Sequence, residues 1–343
     1  MVTPLFSEYN SNIFYFTKYK GIGYLIIKKN KSNKEKNTLI VPKSEYTKAK
    51  RFFKNVVYFD KGKKDEVLFK YLKNSKIIGI EYNKISYSQF KNIKKLIKCK
   101  FKDIGKDLLQ LRSIKNDEEI KNIKKACKLC DEIFSKIINN FKFKTEKELH
   151  YFICNEIRKK GHEISFNPIV ASAKNSSLVH HDIDENSNKG KIKKGFLLLD
   201  YGVKYNGYCS DMSRTIYVGE PNKKEIEIYN KVLNVQEKLI KELKINDKCS
   251  KIHEKAEYLL KPYGEKFTHG LGHGVGLDIH ESPSLHPLSK DIIEENNTLT
   301  IEPGIYFENK FGIRIEDTIW VKKNKNEILT KSKKELIKVN LNA

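Results

Sequence analysis

The segment FLLLDYGVKYNGYCSDMSRT, residues 196–215, constrains the fold of this chain more than any other. Asn-Gly between two apolar runs is the strongest short-range signal for a two-residue hairpin, because a type I′ turn needs positive φ at both central positions. With the turn at Asn206 and Gly207 the register follows by counting: Tyr205 opposes Tyr208, and Gly202 opposes Asp211. Asp200 stands two positions from Gly202 on the same strand. The spacing therefore predicts that Asp200 and Asp211 leave one face of the sheet as diagonal neighbours, their backbones roughly 7–8 Å apart. Carboxylates so placed can share one centre.

A second pair of acids stands in LTIEPGIYFENKFGIRIEDTIWV, residues 299–321. Glu302 closes a strand-like run that Pro303 and Gly304 interrupt, and Glu316 sits in a later strand. Asp317 follows it directly and, in a strand, turns to the opposite face. The stretch HGLGHGVGLDIHESP, residues 269–283, adds histidines among alternating glycines. A helix there would cost roughly 1 kcal/mol at each glycine. An extended run instead sets His269, Leu271, His273, Val275 and Leu277 on one face and the glycines on the other, where substrate or a neighbouring strand can come close. Asp200, Asp211, Glu302, Glu316 and a glycine-framed histidine converging in an apolar cleft would concentrate charge where unpaired charge is prohibitively costly. Two divalent cations would offset it, and mixed carboxylate and imidazole ligation suits Mn, Co, Fe or Zn.

The remaining sequence narrows the class. A length of 343 residues allows two domains, and 39% hydrophobic with 32% charged residues suits a soluble globular protein. No segment approaches the ~18–20 apolar residues of a membrane helix, so no membrane partner is expected. The start, MVTPLFSEYNSNIFYF, does not read as a secretory leader, and the cytoplasm is the expected location. Six cysteines are too sparse for a disulfide scaffold. Cys127 and Cys130 form a CxxC, but they fall on the apolar stripe of a helix capped by Asn116 and Glu119, with Ile120, Ile123, Phe134 and Ile137, which reads as core packing rather than redox or zinc chemistry. The net charge of +24 comes from scattered lysines without a basic helix or an aromatic platform, so it reads as solvated surface rather than a nucleic-acid site. Up to about residue 110, strand-like runs (GYLIIKK, TLIVP, VVYF, KIIGIEY) alternate with helical ones and predict an α/β domain without a P-loop or GxGxxG. Beyond it come long amphipathic helices, then strands bearing the candidate ligands.

Asp200 and Asp211 with their spacing, the HGxGHxxGLxxHE segment, TIEPG and RIED together resemble the pita-bread metallopeptidases, in particular the proline-peptidase branch of aminopeptidase P and prolidase. The likeness covers residues 111–321, beginning at LRSIKNDEEI, and the N-terminal half more loosely resembles that family's creatinase-type domain. The implied fold is α/β plus α+β: a creatinase-like domain at 1–110, followed by a pita-bread catalytic domain at 111–343. The resemblance implies that Asp200, Asp211, His273, Glu302 and Glu316 bind two divalent metals, Mn or Co foremost and Zn or Fe otherwise, with Asp211 and Glu316 bridging. It further implies a metal-bridging hydroxide that attacks the Xaa-Pro peptide bond, with Glu302 moving the proton. His180, in NSSLVHHDID, matches a histidine near the scissile bond, while its neighbour His181 reads as exposed. His269 and His280 match residues that contact substrate and support the intermediate, and Arg314 matches an arginine of substrate handling.

The implied substrates are peptides with proline second, cleaved by a homodimer acting as an Xaa-Pro aminopeptidase or dipeptidase. Some prolidases carry an arginine after the HExP proline to hold a dipeptide carboxylate. Ser284 stands there, which weakens the strict dipeptidase reading. A methionine aminopeptidase uses the same ligands, but the separate N-terminal domain, the GHGVGLDIHE spelling and Arg314 oppose it. A creatinase-like hydrolase lacks the metal ligand set. A non-catalytic or nucleic-acid-binding pita-bread module would typically have lost ligands, and none is missing here.

Overall fold

The computed structural model describes residues 10–29, 35–183 and 190–341; residues 1–9, part of the stretch searched for a leader, lie outside them. The chain divides into two compact units, Met1–Leu111 and Arg112–Ala343. In the first unit, Tyr24–Lys29 pairs antiparallel with Glu35–Pro42, to which Val56–Phe59 adds in parallel. Leu25, Leu39 and Val41 pack into one small core with Ile13 and Ala49. Their alternate neighbours Tyr24, Ile26 and Ile40 pack into another with Leu68, Leu72, Ile78 and Ile80. Burial on both faces explains why these strands read as continuous apolar runs rather than alternating ones. A second parallel pair joins Ile77–Ile80 to Lys100–Asp103. That last strand, KFKD, has a single apolar residue and carried no periodic signal.

In the second unit a helix pair followed by antiparallel strands occurs twice. Helices Asp117–Asn139 and Glu146–Lys159 lead the first half, and Lys223–Glu242 and Cys249–Leu259 the second. Capping boxes start three of them, pairing Asn116 with Glu119, Thr145 with Glu148, and Asn222 with Glu225. Each such cap contributes about 1 kcal/mol. The apolar stripe of Asp117–Asn139 is buried as its period requires, Cys127 and Cys130 included. Burial pushes both thiols well above their usual range, and Cys130 Sγ donates to the carbonyl of Tyr201 at 3.5 Å, so they are packing groups. No described helix is long and apolar enough to cross a membrane.

Two sheets carry the candidate ligands. One runs in the order Lys338–Val339, Met212–Val218, Gly195–Tyr201, Ile169–Ser172; the other runs Glu281–Leu285, Gly272–Gly274, Thr298–Ile301, Asp317–Trp320, Glu327–Ile328. The hairpin has the register obtained by counting. Tyr205 opposes Tyr208 near the turn, and Tyr201 opposes Met212 and Asp200 opposes Ser213 beyond it. Asn206 and Gly207 have φ of 49° and 87°, the two positive values of the expected turn.

The glycine-rich segment departs from expectation. Only Gly272–Gly274 is a strand, its register shifts between His273 and Gly274, and residues 276–280 bend. A Cβ on Gly272 would lie 2.1 Å from the Thr300 carbonyl oxygen, and one on Gly274 2.2 Å from that of Ser282. At Gly272 and Gly274 the bare face thus admits the two neighbouring strands.

Gly207→Val should cost about 1–2 kcal/mol, the strain of a side chain in the left-handed region. It would be read as a lower urea midpoint with unchanged slope. An unchanged midpoint would mean that this turn does not hold the hairpin.

Candidate metal centre and active site

The hairpin, the bulged histidine strand and the strands after Thr298 bring the five sequence-predicted ligand residues into one buried cluster. Asp200 ends the strand Gly195–Tyr201, and Asp211 precedes Met212–Val218. Glu302 follows Thr298–Ile301, and Glu316 lies between Phe311–Arg314 and Asp317–Trp320. Asp211, His273 and Glu316 each offer a ligand atom within 4.8 Å of the others. His273 Nε2 lies 3.5 Å from Asp211 Oδ2 and 3.4 Å from Glu302 Oε1. Asp200 stands beside this group, with its Oδ2 on Arg314 Nη2 at 2.7 Å.

Burial first, and then the neighbouring carboxylates Glu316, Asp200 and Glu302, push the Asp211 carboxyl well above its usual range. Burial, followed by Glu302 and Asp200, does the same to Glu316. Glu302 is raised to about 7, again by burial first, with Arg314 pulling it back. His273 is driven the other way, to about 3, by burial and by His280. With Nδ1 donating to the Gly274 carbonyl at 3.2 Å, its Nε2 presents a lone pair to two carboxylates. Acceptors facing acceptors need a cation or a proton between them. Asp200 Oδ1 and Asp211 Oδ1 are also buried without a hydrogen-bond partner in the structure. This donor set fits divalent metal ions.

The histidines around the cluster are arranged less simply. His280 sets its ring 4.3 Å from that of His273, edge to face. His269 donates from Nδ1 to the Gly270 carbonyl at 2.8 Å, and its Nε2 accepts from Tyr306 Oη at 2.9 Å. Tyr306 Oη in turn accepts from Arg314 Nη1 at 2.7 Å. The Arg314 guanidinium is buried, and Nε donates to Ser213 Oγ, itself a donor to Glu316 Oε2 at 2.7 Å. Arg314 therefore holds Asp200, Ser213 and Tyr306 directly, and it reaches Glu316 through Ser213.

His180 is exposed; the His269 imidazole is driven down to about 3, by burial first and then by Arg314, and burial lowers that of His280. His181 corrects the sequence reading. It is buried, 4% exposed, with Nε2 facing Glu146 Oε2 at 3.2 Å. Glu146 also accepts from Ser172 N and Asn175 Nδ2, so the histidine taken as exposed anchors the loop that carries His180.

Sequence reasoning missed Tyr306, Ser213, Thr300 and Glu146. Thr300 Oγ1 donates to Glu302 Oε1 at 3.2 Å, and a period-2 count back from Glu302 would have flagged it. Ser213, two residues beyond Asp211, was open to the same count. Nothing local marks Tyr306 or Glu146, whose partners are distant in sequence.

Residues 121–323 match the model of metallopeptidase family M24, and residues 5–114 match the creatinase/prolidase N-terminal domain. The chain belongs to metallopeptidase family M24. Its creatinase-type N-terminal domain precedes the pita-bread catalytic domain of M24. An Xaa-Pro dipeptidase of Pyrococcus furiosus is 37% identical over 334 residues, covering 95% of this chain and 92% of that one. An Xaa-Pro dipeptidase of Pyrococcus horikoshii is 35% identical, covering 96% and 92%. Among solved structures, the prolidase of Pyrococcus horikoshii superposes with a TM-score of 0.87 at 35% identity, covering 96% of this chain and 93% of that one. An X-Pro aminopeptidase of Thermotoga maritima superposes with a TM-score of 0.86 at 31% identity, covering 96% and 94%.

The raised carboxyls of this M24 cluster give a pH dependence of definite sign. Unfolded Asp and Glu titrate near 4, whereas metal-free folded Glu302 titrates at about 7 and Asp211 and Glu316 are raised well above their usual range. The folded state therefore binds more protons in that interval, and stability falls as pH rises through it, by at most about 1.4 kcal/mol per pH unit for each group. The Tm of chelator-treated protein should fall between pH 6 and pH 8, and saturating divalent metal should abolish that fall. A Tm that rises with pH in the stripped protein would contradict the carboxylate assignment.

Proposed function

We propose that this M24 protein is a dinuclear-metal exopeptidase that hydrolyses the bond between an N-terminal residue and proline. The observation that carries the reading is the set of buried, mutually repelling carboxylates around His273 Nε2, in a chain whose relatives are Xaa-Pro dipeptidases. Asp200, Asp211, His273, Glu302 and Glu316 would hold the ions. When bound, two divalent ions supply an acidified water as nucleophile and a Lewis acid for the peptide carbonyl. Mixed carboxylate and imidazole donors favour manganese or cobalt, with zinc or iron as alternatives.

The chain's own residues do the rest. Glu302 takes and returns a proton at its carboxylate on the way to the departing proline nitrogen. His280 and the exposed His180 face the substrate side, where their imidazole N–H groups stabilise developing charge at the carbonyl oxygen. His269 lines the same pocket, held by Tyr306. Arg314 keeps Asp200 and Tyr306 oriented and forms the cationic side of the pocket. The N-terminal domain, assigned to about 1–110, leaves the chemistry to residues 111–343. A cytoplasmic homodimer completes the reading; six free cysteines suit a reducing compartment.

A second reading concerns substrate length. Ser284 pairs with His273 across the strands, a neutral side chain beside the candidate ligand, which favours peptides continuing beyond proline over strict dipeptides. Metal-stripped protein resupplied with manganese or cobalt should cleave Ala-Pro and Ala-Pro-Ala but not Met-Ala-Ser. Cleavage of the methionyl peptide alone would make it a methionine aminopeptidase, and failure on all three would leave no peptidase. Asp211→Ala and His273→Ala should each lower turnover by about 1000-fold or more and reduce metal content, whereas full activity in Asp211→Ala would overturn the assignment.

A further inference from the structure

Between His273 and His280 the chain makes a turn built around a carboxylate. The Glu281 side chain is 1% exposed, and its Oε1 accepts from Asp278 N at 2.9 Å, closing residues 278–281 on themselves. Its carboxylate lies where a Cβ on Gly276 would be, 2.4 Å from Oε2, so the turn can fold around it only with glycine at that position. Arg112 Nη2 donates both to Glu281 Oε1 and to Asp278 Oδ2, the latter at 2.9 Å. Lys115 Nζ approaches Glu281 Oε2 at 3.3 Å, with its own side chain 1% exposed. The segment bearing these cations is tied to the sheet. Lys115 N donates to the Asn296 carbonyl at 3.0 Å, and Asn297 Nδ2 to that of Ser113 at 3.1 Å.

Buried ion clusters contribute little net stability against apolar residues of the same volume. What this one supplies is geometry. One guanidinium nitrogen and an ammonium fix the two oxygens of one carboxylate, the same guanidinium nitrogen also holds Asp278, and that carboxylate fixes the turn. His280 lies in the turn just before Glu281, and its ring stands against that of His273. We propose that Arg112, Lys115 and Glu281 are positioning residues that hold the 276–281 turn so that His280 faces the substrate beside His273. The inference rests on the substrate-side role given to His280 above.

A double-mutant cycle tests it. Glu281→Gln and Arg112→Lys should each lower kcat for Ala-Pro by about tenfold or more, since small misplacements near the chemistry are costly, with metal content unchanged. In a His280→Ala background the Glu281→Gln loss should shrink to about twofold or less, whereas in a His269→Ala background it should persist in full. Equal losses in both backgrounds, or none in the wild-type background, would overturn the inference while leaving the peptidase reading intact. Full turnover in His280→Ala alone would overturn both the inference and the substrate-side role given to His280. Should Glu281→Gln fail to fold, Arg112→Lys, which keeps the charge but moves the donor that Asp278 and Glu281 share, is carried through the same cycle with the same criteria.

Discussion

Mutual repulsion among buried carboxylates is the constraint around which the catalytic half of this protein is organised. Asp211 and Glu316 are pushed up by burial and by each other's neighbours, and Glu302 is brought to about 7. Without a compensating cation such a cluster opposes folding, because unscreened like charges interact strongly in a medium of low dielectric. Arg314 supplies part of the compensation through Asp200, and the remaining negative charge is what the divalent ions would balance.

The neighbouring strand face shows the opposite solution. Asp317 follows Glu316 directly but points away from it, and although burial alone would raise its carboxyl, Arg214 and Lys334 overcome that and lower it. Its oxygens are met by Arg214, Gln236, Thr330 and Lys334. Of two acids adjacent in sequence, Asp317, the first residue of its strand, is held by cations and donors, whereas Glu316, just before that strand, faces the other carboxylates.

How far this was legible in the sequence follows from the range of the interactions. The hairpin register came from Asn206-Gly207, a local turn requirement, and so did the facing of Asp200 and Asp211. The helix at Asn116 was legible for the same reason: its cap and its stripe are local. The convergence of Glu302 and Glu316 on His273 was not derivable from spacing and came from the family resemblance, because it depends on strand order within two sheets. His181 was misjudged because its partner, Glu146, lies on a helix 35 residues earlier. The extended reading of residues 269–277 overreached because a bulge and a turn built on Glu281 shorten the strand, and neither leaves a periodic trace. The repeated order of helix pair and strands was likewise invisible, since it is conserved in topology rather than in residues.

Ions that share carboxylates couple magnetically, which makes the spectroscopic behaviour of added manganese the most direct measure of the centre. Titration of metal-stripped protein with Mn(II), followed by electron paramagnetic resonance, should end in a broadened, exchange-coupled spectrum at two ions per chain, and Asp211→Asn should abolish it. An isolated six-line signal that persists at every ratio, or a coupled signal untouched by Asp211→Asn, would contradict a paired site at these carboxylates.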